Sequence, residues 1–194
     1  MSAMRILAIS GSLRRDSHNS ALLRAAATLL PPGIDLSLYD GLREIPPYDD
    51  DHLLLPVPAA VGRLRDETDG ADAVLIATPE YNRSIPGQLK NALDWLSRPL
   101  GESPLRNKPV AVIGASTGMF GAVWAQAETR KVVGAIGARV LDRELPVPRA
   151  HEQFHPHGHL NDRDLERALI DVLEALVDAV ASREQIATGE AANA

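Results

Sequence analysis

The chain has 194 residues, 45% of them hydrophobic, and a net charge of −6, which fits one domain with a full core rather than two small ones. Its 20 Lys and Arg are scattered among 26 Asp and Glu, so neither nucleic acid nor an anionic membrane is expected as its main partner, since each requires a concentrated basic face. The absence of cysteine removes disulfides, thiolate nucleophiles, Cys-ligated zinc and iron–sulfur clusters, so redox chemistry would need a bound organic cofactor.

Met1 to Arg5 lead into the apolar run Ile6 to Ile9, far below the length of a signal peptide or a membrane span. No other apolar run approaches that length, and a cytoplasmic protein is expected. Ile6 to Ile9 is the first of several strand-sized apolar runs. It is followed by an amphipathic helix over Asn19 to Leu30, a strand over Leu36 to Leu38, a helix over roughly Val57 to Thr68, and a strand over Ala73 to Ala77. Next come a helix over Gln88 to Leu96, a strand over Val110 to Ala115, a helix over roughly Gly121 to Ile136, and a weaker strand over Arg139 to Leu141 with Leu145 and Val147 beyond it. Leu165, Leu169, Leu173 and Leu176 mark a closing helix from Asp162 to Ala181. Nearly continuous apolar strands alternating with helices indicate a doubly wound parallel sheet with helices on both faces. Five strands fit the order 2-1-3-4-5, with the domain over 1–183 and a polar, disordered tail over 184–194.

In such a sheet, ligands bind beyond the carboxyl ends of the strands at the switch point, in the loops after strands one, three and four. The first of these loops holds Ser10, Gly11, Ser12, Leu13, Arg14, Arg15, Asp16, Ser17, His18 and Asn19. Its hydroxyls, guanidinium groups and helix-start N–H groups suit a phosphate. It lacks the glycine spacing of dinucleotide and nucleoside-triphosphate loops, so it suits a terminal monophosphate; simple helix capping is the alternative for any single residue. The second loop, Thr78 to Gly87, is stiffened by Pro79 and Pro86. Backbone groups around Glu80 to Asn82 can meet the polar edge of a flat isoalloxazine ring. The third, Gly114 to Gly121, brings small residues and backbone N–H groups to the ring's pyrimidine side.

Gly11-Ser12-Leu13-Arg14 with Ser17 and Asn19, then Pro79-Glu80-Tyr81-Asn82 and Ser84-Ile85-Pro86-Gly87 running into Leu89 to Ser97, resemble the NADPH-dependent FMN reductase family in its chromate and quinone reductase branch. The resemblance implies a flavodoxin-like fold and an enzyme that moves hydride from NADPH or NADH to FMN. Electrons would then pass to a small acceptor, whether quinone, azo or nitro compound, chromate or free flavin, by a ping-pong scheme. It also implies a homodimer or homotetramer with the flavin near the subunit boundary. By that resemblance, Ser12, Leu13, Arg14, Arg15, Ser17, His18 and Asn19 hold the phosphate, Pro79, Glu80, Tyr81, Asn82 and Arg83 the ring, and Ser116, Thr117 and Gly118 its pyrimidine side. The family often carries an aromatic residue where this chain has Arg83.

The flavin would carry the chemistry, so no side chain is assigned as a catalytic acid or base. His151, His155, His157 and His159 have neither helical spacing nor a zinc signature, and no metal is expected. Asp49 to Asp51 read as a solvated loop over the cofactor, with Tyr48 bordering the acceptor pocket. Trp95 lies opposite the Leu89, Leu93 and Leu96 stripe, which makes its indole a candidate for a subunit interface, with peripheral packing as the alternative. A flavodoxin-type electron carrier without turnover of its own is the alternative function, disfavoured by 4% aromatic residues. A signalling receiver would need an Asp where Thr78-Pro79-Glu80 stand.

Overall fold

A computed structural model describes residues 3–51, 56–155 and 158–191, with 184–191 as helix backbone only. Strand β1 (Met4–Ser10) is followed by α1 (His18–Leu29), β2 (Ile34–Leu38), a single 3-10 turn at Gly41–Glu44 and α2 (Ala59–Asp69). Then come β3 (Ala73–Thr78), α3 (Gly87–Leu96), β4 (Pro109–Ala115), α4 (Val123–Ile136), β5 (Arg139–Val140), β6 (Pro146–Val147) and α5 (Arg163–Ala191). All strand pairings are parallel and run in the order β2-β1-β3-β4-β5. The fold is the doubly wound parallel sheet that the alternation of elements predicts, and the flavodoxin-like one that the resemblance implies.

Side-chain alternation builds two cores. Ile6, Ala8, Ala73, Leu75, Ala111 and Ile113 pack against α1 and α5, while Leu7, Ile9, Val74, Ile76, Val110 and Val112 pack against α2, α3 and α4. With both faces covered, β3 and β4 are buried throughout, which is why their sequences show no polar alternation.

The fifth strand position is split. β5 pairs with Pro109 and Val110, and β6 with Gly114 and Ala115. Between them the buried Gln126 accepts a hydrogen bond from Leu145 N and donates to Gly121 O. Gly121 is fixed by space as well as by its φ of +56°: a Cβ there would lie 2.5 Å from Val147 N.

Three expectations are corrected. The closing helix does not end near Ala181 but continues through Ala191, because Glu184, Gln185 and the alanines beyond them have high helix propensity whatever their lack of an apolar stripe. Residues 192–194 lie outside the described residues. Trp95 is not on an outer face: it is 2% exposed, its Nε1 donates to Pro46 O at 2.9 Å, and Tyr48 meets it edge-on with ring centroids 5.1 Å apart. The segment after the 3-10 turn folds over α3 and seals it, so Tyr48 packs there rather than beside a ligand pocket.

Candidate functional site

At the carboxyl ends of β1, β3 and β4 lies a cleft lined by Ser12, Arg14, Ser17, His18, Asn19, Pro79, Glu80, Tyr81, Ala115, Ser116 and Thr117. Three loops from well-separated parts of the sequence meet there because the chain reverses direction across the sheet between β1 and β3.

In the first loop, Gly11 N donates to Ala77 O at 2.8 Å and pins the turn to β3. A Cβ on Gly11 would meet Leu89 Cδ2 at 2.9 Å and Pro79 Cδ at 3.2 Å, so only glycine lets the two loops approach this closely. Ser17 caps α1, its Oγ accepting from Ser20 N at 3.2 Å. The N–H groups of His18 and Asn19, in the first helical turn, remain free to meet an anion.

Asn19 has a different task from the one the sequence implies. Its Nδ2 donates to Ala115 O and its Oδ1 accepts from Ala115 N, both at 2.9 Å. That buried pair staples the start of α1 to the end of β4, leaving mainly the Asn19 backbone N–H for a ligand. His18 lines the cleft and stacks on Phe154, centroids 5.9 Å apart. Partial burial, then the nearby Arg14 and His151 charges, push its pKa below the ordinary histidine value.

The second loop closes as a two-residue hairpin. Tyr81 and Ser84 exchange backbone hydrogen bonds of 3.1 and 3.0 Å, and Asn82 and Arg83 between them have φ of 54° and 61°, the left-handed pair of a type I′ turn. Two carboxylates tie this hairpin to α4. Glu80 Oε2 accepts from Trp124 N at 3.1 Å and Ala125 N at 3.2 Å, capping a helix whose own N-cap residue, Ala122, has no side-chain acceptor. In return, Glu128 accepts from Ser84 Oγ at 2.5 Å and Ile85 N at 3.3 Å, and the Ser84 bond, followed by the Ile85 bond, holds its pKa below the usual carboxylate range. The Glu80 carboxylate therefore turns away from the cleft, and no other acidic side chain lines it among the described residues.

In the third loop, Ser116 N donates to Val147 O and Gly118 N donates to Ser116 Oγ, both at 3.1 Å. The first bond holds the loop to β6 and the second closes the loop on itself, so of the three N–H groups that of Thr117 is left for a ligand.

Ten of the fifteen residues singled out in the sequence line the cleft. Leu13 and Arg15 face a second groove behind the first loop. Asn82 and Arg83 stand at the hairpin tip, where the Arg83 guanidinium lies 5.1 Å from the Trp124 ring centroid; Gly118 sits on the outer side of the third loop. Ala115 also lines the cleft; it belongs to the third loop but was not singled out within it, although the last residue of a strand at the switch point is where a ligand-facing position is expected. Phe154, Glu128 and the Glu80 cap were also missed, since nothing local in the sequence pairs residues so far apart.

Residues 4–152 match the family described as NADPH-dependent FMN reductase. An NAD(P)H-dependent FMN reductase of Pseudomonas aeruginosa is 42% identical over 174 residues, covering 89% of this chain and 93% of that protein. A 2-hydroxy-1,4-benzoquinone reductase of a Burkholderia species is 36% identical over 168 residues, covering 86% and 91%. Among solved structures, the flavoenzyme NAD(P)H:(acceptor) oxidoreductase FerB of Paracoccus denitrificans superposes with a TM-score of 0.82 at 34% identity, covering 92% of this chain and 98% of that one.

Proposed function

Because the chain belongs to the NADPH-dependent FMN reductase family, we propose that this cleft holds FMN in a cytoplasmic enzyme that oxidises NAD(P)H and reduces a small acceptor such as a quinone. The observation that carries the reading is the donor set. Helix-start N–H groups, the Ser12 and Ser17 hydroxyls and Arg14 line it, and its one acidic residue, Glu80, has its carboxylate engaged at the start of α4, which fits a phosphate monoester dianion.

The bound flavin supplies the capacity to accept a hydride and to return electrons to an acceptor. The chain's own groups position and polarise. Pro79 and Tyr81 wall the ring, and the Glu80 and Glu128 ties keep that wall rigid against α4. Thr117 lines the cleft, and its N–H would meet the pyrimidine edge of the bound ring, where a fixed donor would favour the reduced state. No side chain is needed as acid or base. Nicotinamide and acceptor use the same opening in turn, which gives ping-pong kinetics with parallel double-reciprocal lines; quinone, azo, nitro, chromate and free-flavin acceptors are all compatible with it.

The same reading makes the protein a homodimer or homotetramer. Met119, Phe120, Trp124 and Tyr81 are exposed together beside the cleft, an apolar surface of the kind that marks association.

The direct test is spectroscopic. Purified protein is expected to be yellow and to release FMN, not FAD, on acid treatment, and to consume NAD(P)H when an acceptor is present. A colourless protein that cannot be reconstituted with FMN would overturn the reading. A flavin-loaded protein that oxidises neither nicotinamide would favour an electron carrier.

A further inference from the structure

His18 is the first residue of α1, directly after the Ser17 cap, and it lines the cleft at the free N–H groups of the helix start. Its ring is stacked on Phe154, with centroids 5.9 Å apart and planes 12° from parallel, and Phe154 is itself fixed by an antiparallel bridge to Leu160. Stacking on a ring face leaves the edge that carries the two nitrogens open, and among the described residues neither nitrogen has a hydrogen-bond partner. The charges that reach the ring are of one sign: Arg14 from the first loop and, when protonated, His151 from the 3-10 turn at Ala150–Glu152. No carboxylate answers them from the cleft. Glu80 is bound at the start of α4, and Glu152 pairs with His151 at 3.2 Å. His155 and His159 are the other titratable groups described on the segment that carries Phe154. Burial first, then Arg14 and His151, hold the His18 imidazole below the ordinary histidine pKa, and the positive end of α1 also disfavours a cation there. A dianion set among these groups reverses the balance, because its charge outweighs theirs at the ring.

We propose that His18 is neutral while the cleft is empty and becomes the imidazolium that pairs with the FMN phosphate, so that FMN is bound together with a proton and is given up as pH rises. The inference rests on the flavin reading above and adds to it a pH control on cofactor loading. A phosphate monoester loses its second proton at about pH 6, so above about pH 7 it arrives as the dianion and the proton on His18 comes from solvent. An opposite charge within about 4–6 Å raises the proton affinity of such a group about 10- to 1000-fold. That is enough to carry an imidazole from below its ordinary value of about 6.5 to above neutrality. A side chain that does not titrate in this range would bind the same phosphate with no proton.

The experiment has two arms. Histidine ring protons are followed by NMR across the pH range in the FMN-free and FMN-loaded protein, with His18→Gln and His151→Gln to assign the signals. FMN is also titrated calorimetrically at about pH 7.5 in two buffers of different ionisation enthalpy, which counts the protons bound with it. The proton affinity of His18 is expected to rise about tenfold or more on loading. Wild type and His151→Gln should take up between about a third of a proton and one proton per FMN, and His18→Gln none. The Kd for FMN should be about five- to tenfold weaker at pH 8.5 than at pH 7 in wild type and nearly level in His18→Gln. Uptake that persists in His18→Gln would overturn the proposal, since the proton would then go to another group. Should that variant bind FMN too weakly to titrate, the wild-type signals decide: no histidine whose proton affinity rises on loading overturns it equally. Failure of the wild type to bind FMN at all would sink the flavin reading, whereas FMN bound without a proton sinks this inference alone.

Discussion

At the scale of single residues, Ser17 and Asn19 sit two positions apart yet act on different things. Ser17 is a cap beside the ligand position; Asn19 is a cross-brace to β4. Replacing Asn19 with Ala leaves both backbone groups of Ala115 without partners in a buried place, which should cost about 2–4 kcal/mol of stability. Ser17→Ala should cost about 1 kcal/mol and act mainly on FMN affinity. Urea unfolding of the FMN-free variants, set beside fluorescence titration with FMN, separates the two roles; equal stability loss in both variants would contradict the brace. His18 gives a pH signature. Its folded pKa is lowered, by burial first and then by Arg14 and His151, so the unfolded chain takes up a proton more readily. Stability of the FMN-free protein is therefore expected to fall as pH drops below about 6.5, the ordinary histidine value, and the fall should level off below the folded pKa. Melting temperatures from pH 8 to 5 should decline less in His18→Phe than in wild type, and identical profiles would remove His18 from the account.

At the scale of elements, α4 begins without a cap of its own and borrows one from the loop after β3. The Glu80 carboxylate meets two N–H groups at the positive end of that helix, where an anion is favoured. Glu80→Ala should lower stability by about 1–2 kcal/mol and also weaken FMN binding, because the hairpin Tyr81 to Ser84 loses its tie to α4. Hydrogen exchange at Trp124 and Ala125 should quicken in the variant. Unaltered exchange there would show that the cap does not hold the helix start. The reciprocal tie from Glu128 acts only while that carboxylate is charged. Its folded pKa is lowered, so its contribution is present above the ordinary carboxylate range and is lost as pH falls through the folded value.

At the scale of the whole molecule, the proposed assembly surface lies at the start of α4 rather than on α3. Phe120 and Trp124 meet edge-on at 4.9 Å, with Met119 78% exposed beside them. Sedimentation should show wild type as a dimer or tetramer and Trp124→Glu as a monomer, because a charge placed in an apolar interface lacks a partner. A monomeric wild type at micromolar concentration would end that proposal. Binding of FMN is expected to stabilise the fold by about 2.7 kcal/mol at a hundredfold excess over Kd.

The sequence by itself determined the doubly wound sheet, its strand order and the three loops that line the cleft. These follow from local signals: near-continuous apolar runs for strands buried on both faces, helical periodicity between them, and chain reversal at a predictable switch point. Ser12, Arg14, Ser17 and Tyr81 could be placed in the cleft because each lies within a few residues of a strand's carboxyl end. Only the tertiary structure decided how the side chains in those loops are used. Asn19 turned to Ala115, Glu80 to the start of α4, and Trp95 to Pro46, in each case because a buried polar group or a large ring takes the partner that distant chain segments bring within reach. The split fifth strand and the stacking of His18 on Phe154 were illegible for the same reason. Hydrogen bonds and ring contacts that join residues tens of positions apart leave no period in the sequence, and close packing alone selects which of them form.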